Sequence, residues 1–213
     1  MSIVKMESII KKFGDKIILN NFSLDIQEGE LLAITGASGS GKSTILNIIG
    51  LLEKFDSGKL ILDGDENIKI NSSKSNKILR EKIGYLFQNF ALVDEETVSY
   101  NLYLALKYVK KNKKEKDELI KNTLKQMNLE GYEKRKIFEL SGGEQQRVSI
   151  ARLLLKPSKI ILADEPTGSL DAKNRDLVLY YLNKLNREGK TVIVVTHDME
   201  VAKSCHRIIS LNQ

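Results

Sequence analysis

Short apolar runs punctuated by polar turns set the rhythm of this chain. Leu31 to Ile34, Ile83 to Phe87, Lys159 to Ala163 and Thr191 to Val195 have strand length, and such runs suit strands buried on both faces. Ile3 to Ile10, Ile17 to Leu19 and Phe22 to Ile26 read as further strands, with Asn20-Asn21 as a turn. Lys59 to Leu62 reads as a strand ending in an Asp63-Gly64 turn, and Arg207 to Leu211 closes the chain as another. Helical spacing appears instead in Ile45, Leu46, Ile48, Ile49, Leu51 and Leu52. It recurs over Val98 to Val109, Leu119 to Met127, Ser141 to Lys156 and Asp176 to Leu185. Asn67 to Asn76 is polar and reads as a loop. The two prolines, Pro157 and Pro166, both stand at element boundaries, and no internal repeat is present.

One junction carries chemistry outright. Between the run at Leu31 and the helix that follows lies Gly36-Ala37-Ser38-Gly39-Ser40-Gly41-Lys42-Ser43-Thr44. Strand, glycine-rich loop, helix is the setting a phosphate-binding P-loop requires. The glycines let backbone N–H groups wrap a phosphate, and the helix start adds unpaired N–H groups and a positive dipole end. Lys42 would reach the β- and γ-phosphates, and the Ser43 hydroxyl would ligate Mg²⁺. The competing reading is a flexible Gly/Ser turn. The bare pattern arises by chance in a chain of this length on the order of once in a hundred, and the flanking strand and helix weigh further against chance.

Three other places invite a functional reading. Ser141 with Glu144 has capping-box spacing ahead of a helix, and Gly142-Gly143 make that helix start a second possible anion site rather than an ordinary cap. Asp164-Glu165 closes an apolar strand, where α/β sheets place ligands; the pair can hold a metal and position a water, or form a surface turn. The P-loop in the same chain favours the first. Phe13 is either a turn-packing aromatic or a stacking platform for adenine. Gln88 after a strand reads on its own as a solvated cap. The block Lys110 to Lys116 reads as a solvated loop and helix start, since it lacks the interleaved aromatics of a nucleic-acid surface.

Composition narrows the class. The 213 residues are 41% hydrophobic, enough for a proper core. A net charge of +6 suits an anionic partner but is equally an ordinary lysine-rich surface. Cys205 is alone, so no intramolecular disulfide forms, and no Cys/His metal spacing occurs. The first residues lack an apolar signal core, and no run approaches the ~18 apolar residues of a membrane span. A cytosolic protein is expected, with any membrane link supplied by a partner.

Taken together, the motifs resemble those of the ATP-binding cassette ATPases, over nearly the whole chain and in that family's order. GASGSGKST at 36–44 is similar to Walker A, and Gln88 in LFQNF to the Q-loop glutamine. LSGGEQQR at 140–147 resembles the signature motif, IILADEP at 160–166 Walker B, Ser169-Leu170-Asp171 the D-loop and His197 the switch histidine. The resemblance implies an α/β fold: a P-loop NTPase core with a mainly parallel sheet, an N-terminal antiparallel β subdomain and an α-helical subdomain. It implies one nucleotide-binding domain over 1–213, with the helical subdomain inserted at about 89–156.

The resemblance also implies roles. Gly36, Ser38, Gly39, Ser40, Gly41, Lys42, Ser43 and Thr44 would cradle the phosphates of ATP, with Phe13 against the adenine. Ser43 and Asp164 would hold Mg²⁺, with Gln88 completing its shell. Glu165 would polarise the attacking water, and His197 would contact the γ-phosphate. Ser141, Gly142, Gly143 and Glu144 would meet ATP held by a second ATPase subunit, so two chains would form two composite sites. The stretches Gly50 to Gly58 and LFQNFALVDEETVSYNL at 86–102 resemble the exporter-type branch of macrolide, antimicrobial-peptide, lipoprotein-releasing and lactococcin-type bacteriocin ATPases. That points to an ATPase at the cytoplasmic face of the membrane, driving a separate permease that exports a peptide, bacteriocin or antimicrobial. The alternative is an ATP-driven switch that signals through a membrane protein to an extracytoplasmic hydrolase. No nucleic-acid partner is expected, and no C-terminal regulatory domain is expected after His197. Asp94-Glu95-Glu96 and Tyr100 depart from the branch's usual pattern in the region that faces the membrane partner.

Overall fold

The computed structural model describes residues 1–168 and 170–211, with every side chain except that of Lys173. Two sheets form. Strands β1 (Ser2–Phe13) and β2 (Lys16–Gln27) make an antiparallel hairpin, extended by β4 (Ser57–Leu62) and the short β5 (Asp65–Glu66) in the order β2-β1-β4-β5. The second sheet has the order β6-β7-β8-β3-β9 and is parallel at every pairing. Its strands are β3 (Leu31–Gly36), β6 (Ile83–Leu86), β7 (Ile160–Asp164), β8 (Thr191–Val195) and β9 (Arg207–Leu211). The helices are α1 (Lys42–Ile49), α2 (Ser73–Glu81), α3 (Val98–Leu106), α4 (Lys113–Gln126), α5 (Gly142–Leu155), α6 (Ala172–Arg187) and α7 (Met199–Lys203).

The unbroken apolar runs follow from burial on both faces. Leu31, Ile161, Ala163, Val192 and Val194 join a cluster with α3, α4, α5 and α6. Their strand neighbours Leu32, Ile34, Ile160, Leu162, Ile193 and Val195 join a second cluster with α1 and the antiparallel sheet. The period of two in each strand thus feeds two cores. No described helix is long and apolar enough to cross a membrane.

Two local expectations are corrected. Asn20-Asn21 is not a turn, because β2 runs straight through it. Ile9 pairs with Phe22 and Lys11 with Leu19, so Ile10 faces two asparagines in a β-bulge, with Asn21 at φ 52°. The extra residue brings Leu19 and Leu24, an odd number apart, onto the same buried face. The expected loop at Asn67 to Asn76 gives way to α2 at Ser73. Only Ser75 and Ile78 of that helix are buried, so its apolar period is faint. Its start is secured by a capping box in which Ser72 Oγ accepts from Ser75 N at 3.1 Å and Ser75 Oγ accepts from Ser72 N at 2.9 Å. The lysine block behaves as expected: Asn112 caps α4, whose first turn contains Lys113 and Lys114.

Candidate functional site

A parallel sheet delivers the carboxyl end of every strand to one edge. Here that edge carries Gln88 just past β6, Asp164-Glu165 at the end of β7, His197 just past β8 and the glycine loop past β3. The strand order β6-β7-β8-β3 therefore gathers residues that lie far apart in the chain.

The glycine loop is a backbone nest. Gly36, Gly39 and Gly41 have φ of 150°, 79° and 98°, and Gly41 caps α1 with no side-chain bond. A Cβ at Gly36 would lie 2.8 Å from the Leu211 carbonyl, so β9 presses against the loop's entrance. A Cβ at Gly41 would meet Ile18 at 3.0 Å, so β2 braces the loop from the other side. Lys42 is buried and donates to the carbonyls of Gly36 and Ala37, each at 2.8 Å. That arc holds the ammonium across the mouth of the nest. Ser38 and Gly39 are exposed at its tip, while the buried Ser40 Oγ has no hydrogen-bond partner among the described residues. Lys16, Ile18, Gly39, Gly41, Lys42, Ser43 and Thr44 line a cavity of about 230 Å³ here.

Ser43 Oγ donates to Asp164 Oδ1 at 3.0 Å. Burial pushes the Asp164 carboxyl above its usual range, and Glu165 beside it acts in the same sense; the Ser43 bond and Lys42 pull it back. One hydroxyl and one carboxylate oxygen suit Mg²⁺, which takes few protein oxygens and fills its octahedron with water and phosphate. Among the described residues no cluster of three or more His, Cys, Asp and Glu could hold a metal by itself.

Glu165 stands at φ 43°, an uncommon conformation for a residue with a side chain, and its N–H donates to the Val195 carbonyl at 2.9 Å. This turns its carboxylate toward the end of β8. His197 Nδ1 lies 3.0 Å from Glu165 Oε2, and the His197 N–H donates to the same oxygen at 3.4 Å. The pairing joins two expected site residues in a contact that spacing alone did not suggest. A mostly buried carboxylate and an exposed imidazole thus meet at this edge.

The second glycine-bearing helix start is built differently. Ser141 caps α5, and Glu144 Oε2 accepts from both the N–H and the hydroxyl of Ser141 at 2.8 Å. Those bonds, with one from Tyr132, hold the Glu144 carboxyl below its usual range. A Cβ at Gly143 would come within 2.6 Å of Asn174 Nδ2, so a side chain there would push the Asn174 amide of α6 aside. Asn174 in turn accepts from Arg147 at 3.2 Å and donates to Asp171 at 2.9 Å. Gln88, Asn89, Gly142, Gly143, Gly168 and Asn174 help line a second cavity, of about 500 Å³, distinct from the first.

Phe13 lies at the turn end of the β1–β2 hairpin, half-exposed, with the Lys11 ammonium 4.4 Å from its ring centre. It is not a core residue, and its cross-strand partner Lys16 lines the first cavity. Gln88 lines the second cavity and not the first, and so stands apart from Ser43 and Asp164. Arg152 of α5 grips the chain just beyond it, donating to the carbonyls of Phe90 and Ala91 at 2.6 and 2.5 Å. Sequence reading missed Arg152, Asn174 and Tyr132. Only the N-cap Asp171 ahead of α6 hinted at the Asn174 contact. Ser169, the first residue of the expected D-loop, lies outside the described residues.

Comparison with known proteins fits this layout. The sequence model of the family described as "ABC transporter" matches residues 19–168. The chain is 43% identical to the macrolide export ATP-binding/permease protein MacB of Campylobacter jejuni over 97% of its own length but 32% of that relative's. It thus spans about a third of the length of such relatives. It is 44% identical to the ABC transporter ATP-binding protein MJ0796 of Methanocaldococcus jannaschii, over 98% of this chain and 92% of that one. The solved dimeric structure of MJ0796 in a post-hydrolysis state, bound to ADP and Pi, superposes with a TM-score of 0.89 at 42% identity, over 98% of this chain and 94% of that chain. The chain therefore belongs to the ABC transporter family, as an ATPase cassette of its exporter-type branch.

Proposed function

We propose that the chain hydrolyses ATP between two copies of itself, or between itself and a similar cassette, and so drives a membrane permease of the export type. The observation that carries this reading is the separation of the two glycine-bearing helix starts. The P-loop and the start of α5 open into different cavities of one chain. Head-to-tail pairing would bring each P-loop against the other copy's α5. MJ0796, the relative matched nearly end to end, is dimeric in its solved structures.

In this reading the 36–44 loop holds the phosphates and Phe13 stacks on the adenine. Ser43 and Asp164 hold Mg²⁺, with Gln88 as a further ligand. Glu165 polarises the water, and His197 contacts the γ-phosphate. Ser141, Gly142, Gly143 and Glu144 receive the γ-phosphate from the second copy. The protein's task in such a reaction is to position groups and neutralise spreading charge. The segment at about 89–156 works as a helical subdomain within one nucleotide-binding domain over 1–213.

MacB relatives are macrolide export ATP-binding/permease proteins, so the cargo is proposed to be an antimicrobial or a peptide, bacteriocins included. A groove of about 640 Å³ between α2 and α3, with Arg80, Leu104, Tyr108 and Lys156 on its walls, offers the permease a seat. The cassette would then sit at the cytoplasmic face of the membrane.

Purified Glu165→Gln protein with ATP and Mg²⁺ tests the first half. A dimer that forms with ATP and not ADP is expected, and a monomer under all conditions would sink the composite site. The trapped dimer, captured from solubilised membranes, tests the second half. A multi-span permease is the expected companion, whereas a membrane protein bound to a cell-wall hydrolase would replace transport with signalling.

A further inference from the structure

The start of α5 contains a charge problem that its proposed role makes acute. Glu144 is the third residue of the helix. A carboxylate there is ordinary capping chemistry. But it shares its turn with the amides that would receive a phosphate, and an unrestrained negative charge at that point opposes a second anion.

The structure restrains it with a residue outside the motif. Tyr132, in the connection between α4 and α5, donates its hydroxyl to Glu144 Oε1 at 2.8 Å. Its ring packs against the apolar cluster of α3, α4 and α5, and the Arg135 guanidinium lies 4.0 Å from the ring centre. The hydroxyl is therefore aimed by a fixed ring. The other oxygen, Oε2, is taken by the N–H and hydroxyl of Ser141. To bind a phosphate, the Ser141 hydroxyl must turn away from Oε2. Glu144 then keeps the Ser141 N–H and the Tyr132 hydroxyl, and the carboxylate stays in place.

We propose that Tyr132 is a positioning residue of this half-site. By holding Glu144 when the Ser141 hydroxyl turns away, it frees that hydroxyl, beside the Gly142 and Gly143 N–H groups, for the γ-phosphate bound by the second copy. The inference rests on the two-chain reading above.

The test is Tyr132→Phe in the Glu165→Gln background, which keeps the ring and its packing. Binding of a fluorescent ATP analogue to dilute monomer reports the P-loop half alone and should not change. The dissociation constant of the ATP-bound dimer, from sedimentation, should rise about tenfold to a hundredfold, the size of a lost hydrogen bond to a charged group. Adding Glu144→Gln should recover most of that loss, because the neutral amide no longer needs the phenol. An unchanged dimer constant in Tyr132→Phe, or no recovery with Glu144→Gln, would overturn the role of Tyr132 and leave the two-chain reading intact. A Glu165→Gln parent that never dimerises with ATP would instead overturn that reading, and this inference with it.

Discussion

The two glycine-bearing helix starts solve one electrostatic problem in opposite ways. The start of α1 has no side-chain cap, and its cap residue Gly41 is left-handed. Its glycines stand at dihedrals that other residues reach only with strain, and Lys42 already bridges the loop. This is a nest built before any anion arrives. The start of α5 is the reverse. Gly142 and Gly143 are ordinary helical residues, and Ser141 and Glu144 already satisfy each other. In the two-chain reading proposed above, that site would have to give up a hydrogen bond to accept a phosphate. Tight binding by one chain and conditional binding by the second would be the asymmetry an ATP-driven clamp needs.

The comparison breaks first at Glu165. If the P-loop binds and the β7 edge reacts, Glu165→Gln should lower turnover by a hundredfold or more while nucleotide affinity holds. Phosphate release beside equilibrium binding measures both, and equal losses in the two would move Glu165 out of the reaction. Gly41→Ala should come next. Forcing a side chain into a left-handed position costs about 1–2 kcal/mol. The contact with Ile18 adds to that, so both the melting temperature and ATP affinity should fall.

Gly142→Ala sharpens the contrast. Its Cβ meets nothing within 4 Å and its backbone is helical, so stability should hold while ATP-driven dimerisation fails. A melting temperature that drops as far as in Gly41→Ala would erase the distinction drawn above. Ser141→Ala removes the cap itself and should cost about 1 kcal/mol in denaturant unfolding.

A pH-dependent effect, outside both helix starts, lies at the back of α5. Burial and the nearby Arg152 lower the Lys156 amine to about 8 from 10.5. Below pH 8 the amine is charged whether folded or unfolded, and the folded state bears the cost of burying it. Between about pH 8 and 10.5 the folded chain has released this proton and the unfolded chain has not, so this group adds stability as pH rises. Lys156→Met should therefore gain on the parent below pH 8 and lose that advantage toward pH 10.5, as paired melts across the range would record.

Much of this was readable beforehand because the informative signals are local. A strand, glycine loop and helix in succession need only neighbouring residues, and Ser141 with Glu144 is a cap over one turn. Asn20-Asn21 misled because asparagine serves turns and bulges alike, and only pairing with β1 decides between them. Helix α2 escaped notice because a helix with one buried apolar side chain has no period to detect.

The order of residue types along the chain was enough to establish the parallel core, the glycine loop between strand and helix, and the family. It could not establish which distant groups meet. The bond between His197 and Glu165, the Arg152 grip on the chain after Gln88, and the reach of Tyr132 to Glu144 all join separate elements. Each depends on strand order or helix packing, which place side chains to within an ångström only after the two cores have closed around the sheet. Hydrogen bonds are that sensitive to distance and apolar burial is not, so the core could be read from sequence and the wiring of the site could not.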